Sequence, residues 1–335
     1  MSRLIIPKNY KPLLDMRRTE IAIKKVKDFF ERDLAIALNL TRVSAPLFLR
    51  ANSGLNDNLN GVERAVSFHI PDLDIDAEIP QSLAKWKRWA LGIYGFGRGE
   101  GLYTDMNAIR PDEVTDNMHS IYVDQWDWEV VIGESERNVE TLKKTVRKIY
   151  TSLLHTEHYI ASEYDFVDTL LPEEIHFVTA QELEDEWPDL TPKEREYMAV
   201  KRYGAVFLMG IGGKLKSGKI HDGRAPDYDD WSLNGDIIVY YPVLDCAFEL
   251  SSMGIRVDAP TLLAQLDERG CPERANLPFH RALIEGKLPL TMGGGIGQSR
   301  MCMYFLRKAH IGEVQSSIWR EEDERLCREA GIMLL

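Results

Sequence analysis

The sequence predicts an α+β fold in which one antiparallel β-sheet is flanked by helices. Two segments, 19–38 and 137–154, repeat apolar residues at helical spacing, and Thr19 can cap the first of them. The segments typical of strands are short and separated by polar or glycine-rich turns; they are 120–130, 205–211, 236–243 and 248–257. Helices and strands do not alternate regularly, and no G-x-G-x-x-G follows an early strand. A dinucleotide-binding fold of parallel strands is therefore not favoured.

Size and composition favour a single domain over residues 1–335. Of the 335 residues, 44% are hydrophobic and 28% are charged, so a large core can form and disorder is not expected. One α/β or α+β enzyme domain can reach this length. No internal repeat and no linker rich in proline, glycine or serine divides the chain.

The formal net charge of −12 disfavours non-specific binding to nucleic acid or to anionic membranes, because both need a positive surface. The N-terminus has no long apolar stretch, and no segment is long and apolar enough to span a membrane. The four cysteines lack the spacing of a zinc site or a disulfide framework. We therefore expect a cytoplasmic protein with reduced thiols.

A glycine-rich segment, 293–300 (GGGIGQSR), is the first candidate for chemistry. Glycines at alternating positions, Gly293, Gly295 and Gly297, let a backbone lie flat against a planar ligand. The stretch that follows is typical of a helix, which places Arg300 near a helix N-terminus, where free N–H groups favour phosphate. Alone, the pattern also fits a flexible loop, or a helix start with an incidental arginine.

Residues 110–113 (RPDE) and the strand after them form a second cluster. Arg110 suits bidentate contact with a phosphate group. In the strand, Val123, Gln125 and Asp127 share one face, where an amide and a carboxylate could bind an ammonium group. The alternative is a loop salt bridge followed by an edge strand with outward polar residues.

Two later strands each bring a carboxylate, Asp236 and Glu249. Carboxylates near phosphates commonly hold Mg²⁺, a cation that prefers oxygen ligands. Glu249 could instead be a rim charge paired with Arg256. The run 224–231 (RAPDYDDW) precedes both carboxylates, and by itself it is also typical of a solvated turn.

Together these clusters resemble the catalytic core of the class II aminoacyl-tRNA synthetases. Residues 110–113 are similar to motif 2 of that superfamily, an arginine with an acidic residue three positions on. Residues 293–300 fit motif 3, G-x-G-x-G-x-x-R. The helix 19–38 followed by Pro46 is similar to motif 1, which builds a dimer interface in that superfamily. The resemblance therefore implies a homodimer paired through residues 41–46.

A more specific resemblance is to one family of this superfamily, the ammonia-dependent asparagine synthetases, or aspartate–ammonia ligases. It extends from the first helix nearly to the end of the chain. The chain departs from the family pattern after Trp231, where members can carry a longer loop before Asp236, and this departure bears on the geometry around Asp229. The N-terminus is also extended, and the extreme C-terminus diverges. The similar strings are 56–61, 82–88, 99–104, 122–129, 224–231, 249–256 and 293–300.

The resemblance implies a two-step reaction. The β-carboxylate of aspartate attacks the α-phosphorus of ATP, giving β-aspartyl-adenylate and pyrophosphate, and ammonia then displaces AMP to give asparagine. Because two anions must meet, positive charge has to screen them. Arg110 matches the residue that neutralises the α-phosphate and the attacking carboxylate, and Arg300 matches the one that holds the far end of ATP. The other ATP-binding positions are Ser120, Val123, Gly295, Asp236 and Glu249, of which the last two are the candidates for Mg²⁺.

Aspartate needs partners of both signs, and the resemblance implies both. The α-ammonium group suits two carboxylates and an amide, and the α-carboxylate suits Lys87. Asp229, in an aspartate-rich turn, could orient or deprotonate the incoming ammonium. Without the resemblance, Lys87 and Asp57 would be interpreted as a surface pair. The implied substrate-binding residues are Asp57, Lys87, Gln125, Asp127, Ser252 and Arg256, and the implied catalytic residues are Arg110, Asp229 and Arg300.

Three other functions share parts of this pattern. A tRNA-charging synthetase would need an anticodon-binding domain, for which 335 residues leave little room, and the acidic balance argues against it. A non-enzymatic regulatory relative could lose Arg110, Glu249 or Arg300, yet all three are present. A glutamine-using synthetase would need a nucleophile, but the second residue is Ser2 and no cysteine lies in such a setting. The expected partners are aspartate, ammonia, ATP and a second copy of the chain, with no nucleic acid and no membrane.

Overall fold

A computed structural model describes residues 4–57, 63–165 and 167–335 of the chain. Residues 58–61 of the string 56–61 therefore lie outside the described residues. The helices are α1 (Met16–Leu38), α2 (Ala84–Tyr94), α3 (Val139–Glu163), α4 (Ala180–Glu186), α5 (Pro192–Tyr203), α6 (Ala259–Glu268), α7 (Pro278–Ile284), α8 (Gln298–Phe305) and α9 (Glu321–Glu329). The strands are β1 (Leu40–Arg42), β2 (Leu49–Arg50), β3 (Ser67–Ile70), β4 (Ile75–Glu78), β5 (Gly101–Ile109), β6 (Tyr122–Val131), β7 (His176–Thr179), β8 (Ala205–Met209), β9 (Asp229–Tyr241), β10 (Cys246–Arg256) and β11 (Thr291–Gly297).

The main sheet has eight strands in the order β1-β5-β6-β11-β10-β9-β8-β7, and β2, β4 and β3 form a small second sheet. The inner pairings of the main sheet are antiparallel. The outer pairs, β1 with β5 and β7 with β8, are parallel. The prediction of an antiparallel sheet is therefore wrong at both edges, and the sheet is mixed. Parallel neighbours need a crossover connection, and helices α4 and α5 supply one between β7 and β8.

Two predicted helices are present with different ends. Helix α1 starts three residues early because Asp15, not Thr19, is its N-cap and accepts the N–H of Arg18. Thr19 lies buried in the first turn, where its hydroxyl donates to the carbonyl of Leu14 at 3.4 Å. Helix α3 continues to Glu163, beyond the predicted end at residue 154. Within the described ranges, no helix has the length and apolar character needed to cross a membrane.

The largest hydrophobic core lies between the main sheet and helices α1, α3 and α8. Phe30 of α1 packs there against Trp126 of β6, with ring centroids 5.0 Å apart, and Trp128 and Phe248 are buried beside them. Burial of such large aromatic surfaces is a main source of stabilisation. On the other face of the sheet the apolar clusters are smaller and separate, under α2 at one side and under α4 and α5 at the other. The polar surface between them carries the candidate site.

A β-bulge in β10 changes which residues of the strand face the core. The pairing with β9 shifts register between Glu249 and Ser251. The inserted residue reverses the alternation of the strand. As a result, Glu249 and Ser252 both face the candidate site although they lie three positions apart. The core-facing residues are Phe248 and Leu250 before the shift and Met253 and Ile255 after it.

Candidate active site

A cavity of about 470 Å³ opens on the polar face of the main sheet. It brings together all the predicted site residues except Asp236. Asp236 lies behind Arg224, which lines the cavity and whose guanidinium contacts the Asp236 carboxylate. The predicted residues on the cavity wall are Asp57, Lys87, Arg110, Ser120, Val123, Gln125, Asp127, Asp229, Glu249, Ser252, Arg256, Gly295 and Arg300.

Four strands align one row of residues across this face of the sheet. Asp127 on β6 pairs with Gly295 on β11, Gly295 pairs with Ser252 on β10, and Ser252 pairs with Asp236 on β9. Because neighbouring strands lie about 4.8 Å apart, the row spans about 14 Å. We call the part of the cavity around Asp127, where the resemblance predicts aspartate, the amino-acid end, and the part around Glu249, in front of Asp236, where it predicts ATP, the nucleotide end.

Lys87 is the buried cation of the amino-acid end, with a side chain that is 1% exposed. Its ammonium donates to Asp127 Oδ1 at 3.0 Å and to the carbonyls of Trp128 and Gly294 at 3.1 and 2.9 Å. Burial lowers the pKa of Lys87, and the negative charge of Asp127 opposes this shift. Asp57 is also buried, so the alternative of a surface pair is wrong.

Asp127 has an oxygen to spare for a ligand. Its Oδ2 is buried and has no hydrogen-bond partner among the residues the structure describes. A buried acceptor without a donor is costly, by roughly 1–3 kcal/mol, so a cationic ligand that donates to it would be favoured. Gln125 lies two residues earlier on the same face of β6 and also lines the cavity.

Arg256 lies between two buried carboxylates. Its Nε donates to Glu129 Oε1 at 3.0 Å, its Nη2 donates to Glu129 Oε2 at 2.6 Å, and its Nη1 donates to Asp229 Oδ1 at 2.5 Å. Burial raises the pKa of Asp229; the Arg256 guanidinium opposes this shift, and the charge of Glu129 adds to it. Glu249 instead faces Arg300, with 3.6 Å between Oε2 and Nη1. The alternative pairing of Glu249 with Arg256 is therefore wrong.

The glycines of β11 leave space for side chains of the amino-acid end. A Cβ at Gly293 would lie 2.0 Å from Glu129 Oε2, and a Cβ at Gly295 would lie 2.4 Å from Gln125 Oε1 and 3.0 Å from Asp127 Oδ1. If larger residues replaced Gly293 and Gly295, these side chains on β6 could not keep their positions. The segment forms a strand and the start of α8, so the alternative of a flexible loop is wrong. Its role as a flat surface for a planar ligand stays a prediction.

The nucleotide end is more open and carries two arginines. Arg110 is partly exposed; its Nη2 donates to the carbonyl of Gln81 at 3.3 Å, and its Nε has no partner among the described residues. The Arg300 side chain is 24% exposed, and its Nη1 donates to the carbonyl of Glu249 at 3.1 Å. Ser120 and Val123 lie on the same wall. Both guanidinium groups thus retain N–H donors that an anion could use.

Asp236 and Glu249 could supply some of the oxygen ligands that a hard cation needs, but not all of them. Asp236 Oδ1 is buried without a hydrogen-bond partner among the described residues. Burial raises the pKa of Asp236 to about 6, with Arg224 opposing and Glu249 adding to the shift. Burial also acts on Glu249, but the charges of Arg300 and Arg224 outweigh it and lower its pKa. Within the described residues no group of three or more His, Cys, Asp or Glu side chains could hold a metal ion, so further oxygen ligands would have to come from phosphates and water.

Asp227 forms the centre of a buried ion cluster that supports two segments of the site. Its Oδ2 accepts from Lys85 Nζ at 3.0 Å and lies 2.9 Å from His280 Nε2. Burial alone would raise the pKa of Asp227, but Lys85 and His280 hold it well below its usual range. Lys85 lies two residues before Lys87, and Asp227 lies two residues before Asp229. The cluster therefore ties α2 to the start of β9.

Several residues of the site carry no assignment from the sequence. Glu129 is the last residue of the string 122–129. The one feature of the sequence that could have indicated a role for it is its position two residues after Asp127, on the same face of β6. Arg224 belongs to a run that is also typical of a solvated turn. His119 and Lys193 line the nucleotide end, and no motif marks either of them.

The fold is similar to that of aminoacyl-tRNA synthetases of class II. An asparaginyl-tRNA synthetase from Pyrococcus horikoshii, solved with asparaginyl-adenylate, superposes with a TM-score of 0.61 at 16% identity, covering 89% of this chain and 68% of that one. A putative aspartyl-tRNA synthetase from Leishmania major gives a TM-score of 0.62 at 14% identity, covering 91% of this chain and 66% of that one. At these identities the likeness concerns the fold alone.

The family is defined by sequence. The model of the aspartate-ammonia ligase family matches residues 17–331, and the chain belongs to this family. An aspartate–ammonia ligase from Clostridium perfringens is 64% identical over 338 residues and covers both chains completely. Another from Clostridium tetani is 63% identical over 99% of this chain and 98% of that one. A third, from Limosilactobacillus fermentum, is 57% identical over 99% of each.

Proposed function

We propose that this chain is an ATP-dependent ligase that forms asparagine from aspartate and ammonia through a β-aspartyl-adenylate, with release of AMP and pyrophosphate. Membership of the aspartate–ammonia ligase family supports the overall reaction. The observation that carries the mechanism is the row from Asp127 to Asp236. This row supports the mechanism because a buried polar region suited to an amino acid and an arginine-rich region suited to a nucleotide lie side by side in one cavity.

Arg110 and Arg300 act on ATP in the first step. An oxygen of the β-carboxylate attacks the α-phosphorus, the bond from that phosphorus to the bridging oxygen breaks, and pyrophosphate leaves. Negative charge is concentrated between carboxylate and phosphate, and Arg110, with donors to spare, stabilises it. Arg300 holds the far end of the triphosphate. The part of the nucleotide between the two arginines contacts Ser120, Val123 and Gly295.

The amino-acid end orients aspartate for that attack. Asp57, Gln125 and Asp127 accept hydrogen bonds from the α-ammonium group, and Asp127 Oδ2, which has no partner among the described residues, is free to accept one. Lys87 binds the α-carboxylate. Since its three donors already serve the protein, contact with substrate exchanges one of those bonds, most simply the one to Asp127. The rest of the substrate set is Ser252 and Arg256.

Ammonia attacks the acyl carbon in the second step, and AMP leaves with the electrons of the bond between that carbon and the phosphate oxygen. The amide product carries one proton fewer than ammonia plus the acyl group, so a base must accept it. Asp229 is the proposed base, because it lines the cavity and burial raises the pKa of its carboxylate. The same carboxylate can hold an incoming ammonium ion.

Mg²⁺ is part of the proposal through Asp236 and Glu249. When bound, the ion would neutralise charge on the phosphates of ATP. Asp236 offers a buried oxygen that has no hydrogen-bond partner in the described part of the chain, and Glu249 is 39% exposed beside Arg300. Glu249 lines the nucleotide end and Asp236 lies directly behind Arg224, and the contacts with Arg300 and Arg224 keep the two carboxylates in place.

We also propose a single domain over residues 1–335 and a cytoplasmic homodimer paired through residues 41–46. The support is the motif 1 resemblance together with apolar side chains exposed near this segment, of which Ile36 is 83% and Leu47 is 62% exposed. Light scattering at micromolar concentration should give twice the mass of one chain. A stable monomer would contradict the dimer.

Product analysis tests the reaction directly. The chain is incubated with ATP, Mg²⁺, aspartate and ammonium, and the products are separated. We expect equal amounts of asparagine and AMP. ADP as the nucleotide product would contradict the adenylate. Glutamine should replace ammonium poorly, and at subsaturating ammonium the rate should rise with pH above neutrality, because NH₃ is the attacking form.

A further inference from the structure

Glu129 is the most deeply buried carboxylate beside the cavity, and its side chain is 0% exposed. It does not line the cavity itself. Three groups hold it: Arg256 Nε at 3.0 and 3.1 Å, Arg256 Nη2 at 2.6 Å, and the hydroxyl of Thr291 at 2.7 Å. Burial would raise the pKa of Glu129, but Arg256 outweighs it, so the pKa is lowered and the carboxylate stays ionised.

A buried ion pair of this kind is weak evidence for stability, because well-packed apolar residues can often replace it without loss. Strand β11 nevertheless leaves space for this one. A Cβ at Gly293 would lie 2.0 Å from Glu129 Oε2 and 2.7 Å from Arg256 Nη2. Only a residue without a Cβ fits beside the pair, so the backbone of β11 accommodates it. Since stability does not explain the pair, we consider its effect on the hydrogen bonds that Arg256 can make.

Arg256 has five N–H donors, and Glu129 determines which of them remain for other groups. The edge formed by Nε and Nη2 is taken by Glu129, and Asp229 receives a single bond from Nη1. Two N–H groups of Arg256 are left without a bond to any described residue. Arg256 also lines the cavity, so these groups are the ones available to a substrate.

We propose that Glu129 is a positioning residue: it fixes the orientation of Arg256, so that Arg256 binds a carboxylate of aspartate and makes only one bond to Asp229. This rests on the function proposed above. With Glu129 neutral, Arg256 would lose its bidentate partner and could turn its fork toward Asp229. Asp229 would then be fully neutralised, and the N–H groups for substrate would be lost.

The test uses pyrophosphate exchange, which reports the first step alone, with aspartate and ATP varied separately. Glu129→Gln keeps the size of the side chain and removes its charge. We expect the KM for aspartate to rise on the order of 100-fold, the typical effect of truncating a buried charge pair, and the KM for ATP to stay within about 3-fold. Glu129→Asp keeps the charge with a shorter reach and should restore most of the aspartate affinity.

Glu157→Gln is the matched control. Glu157 is 1% exposed, and its carboxylate accepts from Arg307 at 2.9 Å, away from the cavity. The Glu157→Gln variant should keep the wild-type KM for aspartate and for ATP, even if it is less stable. If Glu129→Gln does not fold, Thr291→Val removes only the hydroxyl that donates to Glu129 and should raise the KM for aspartate about 3- to 10-fold, as expected for the loss of one hydrogen bond.

Three outcomes would overturn the proposal. The first is an unchanged KM for aspartate in Glu129→Gln or, where that variant does not fold, in Thr291→Val. The second is an equal rise in both KM values, which would indicate general distortion. The third is a similar rise for aspartate in Glu157→Gln. Failure of the proposed function is recognised separately, since the wild-type chain would then form no asparagine; equilibrium dialysis with radiolabelled aspartate would still compare Glu129→Gln with wild type.

Discussion

The two ends of the cavity hold charge in different ways. At the amino-acid end, Lys87, Asp127, Glu129, Asp229 and Arg256 are at most 4% exposed and bond to one another. At the nucleotide end, the side chain of Glu249 is 39% exposed and that of Arg300 is 24% exposed. A buried network costs much free energy if one member is lost, whereas a half-exposed charge can be removed with little effect on folding. Under the proposed function, the amino-acid end is therefore preorganised for one small substrate, and the nucleotide end retains freedom to close around phosphates.

Lys87→Ala should give the largest effect, because it breaks the amino-acid end. It leaves Asp127 and two carbonyls without their donor, and loss of one partner of a buried pair costs roughly 3–5 kcal/mol. Urea unfolding should show this loss, and pyrophosphate exchange should show a raised KM for aspartate. A changed maximal rate with unaltered aspartate dependence would mean that Lys87 acts on ATP or on the chemistry.

Lys308→Ala is the control for that prediction. Lys308 is 2% exposed, donates to Thr19 Oγ1 at 2.8 Å, and has its pKa lowered chiefly by burial, as Lys87 does. It lies outside the cavity wall. It should lose stability and keep the wild-type KM for aspartate.

Arg110→Ala tests the nucleotide end, where we expect a large loss of rate with little loss of stability. Loss of a preorganised charge that acts on the transition state lowers the rate roughly 100- to 1000-fold. Because the guanidinium makes one long bond to a backbone carbonyl among the described residues, the melting temperature should change by no more than about 2 °C, roughly the shift expected for 1 kcal/mol in a chain of this length. Near-normal pyrophosphate exchange would refute the motif 2 assignment, and a large drop in melting temperature would refute the contrast between the ends.

His310→Asn tests a buried group that belongs to neither end. His310 is 0% exposed, and burial lowers its pKa from 6.5 to about 4. The neutral form is favoured in the folded chain, so this stability is present above pH 6.5 and is lost as the pH falls toward 4. Between pH 7 and pH 5 the wild type should lose about 2 kcal/mol more than the variant in urea unfolding. Parallel pH profiles would assign the acid sensitivity to other groups, the site carboxylates among them.

Gly295→Ala should give the smallest effect. The added Cβ would displace the end of the flexible Gln125 side chain and would press more weakly on Asp127 Oδ1, at 3.0 Å. We therefore expect about a 10-fold loss in kcat/KM for aspartate, or about 1.4 kcal/mol, with stability nearly unchanged. Gly213→Ala, where a Cβ would meet nothing within 4 Å, is the control. An unfolded Gly295→Ala variant would show that the amino-acid end has less room to adjust than its side-chain contacts indicate.

Periodicity in the sequence predicts those elements that have an apolar face of sufficient length. Helices α1 and α3 and the inner strands satisfy this condition, because each turns a row of apolar side chains toward one core. Strands β1 and β7 have three and four residues, too few for any alternation to be visible. These two strands make the sheet mixed, and for that reason the error in the predicted sheet lies at its edges.

The site could be predicted where a residue type and its spacing carry the chemistry. The cavity brings together nearly all the residues assigned from motif resemblance. The register of the strands, which decides which residues of neighbouring strands lie side by side, could not be predicted from the sequence. The pairing of Glu129 with Arg256 joins residues 127 positions apart, and it depends on three aligned strands. The shielding of Asp236 by Arg224 likewise depends on how a loop folds back over β9.

The bulge in β10 restricts how this part of the chain can change in length. Deleting the extra residue at the register shift would leave Glu249 and Ser252 two positions apart, and a regular alternation would still turn both toward the cavity. Deleting Met253 instead would leave Ser252 and Arg256 three positions apart, so one of them would turn toward the aromatic core. A substitution at Glu249 alters one contact, whereas a deletion beyond the bulge would exchange the two faces of the strand that follows it. Apart from the bulge itself, length is therefore under a stronger constraint than composition in this strand.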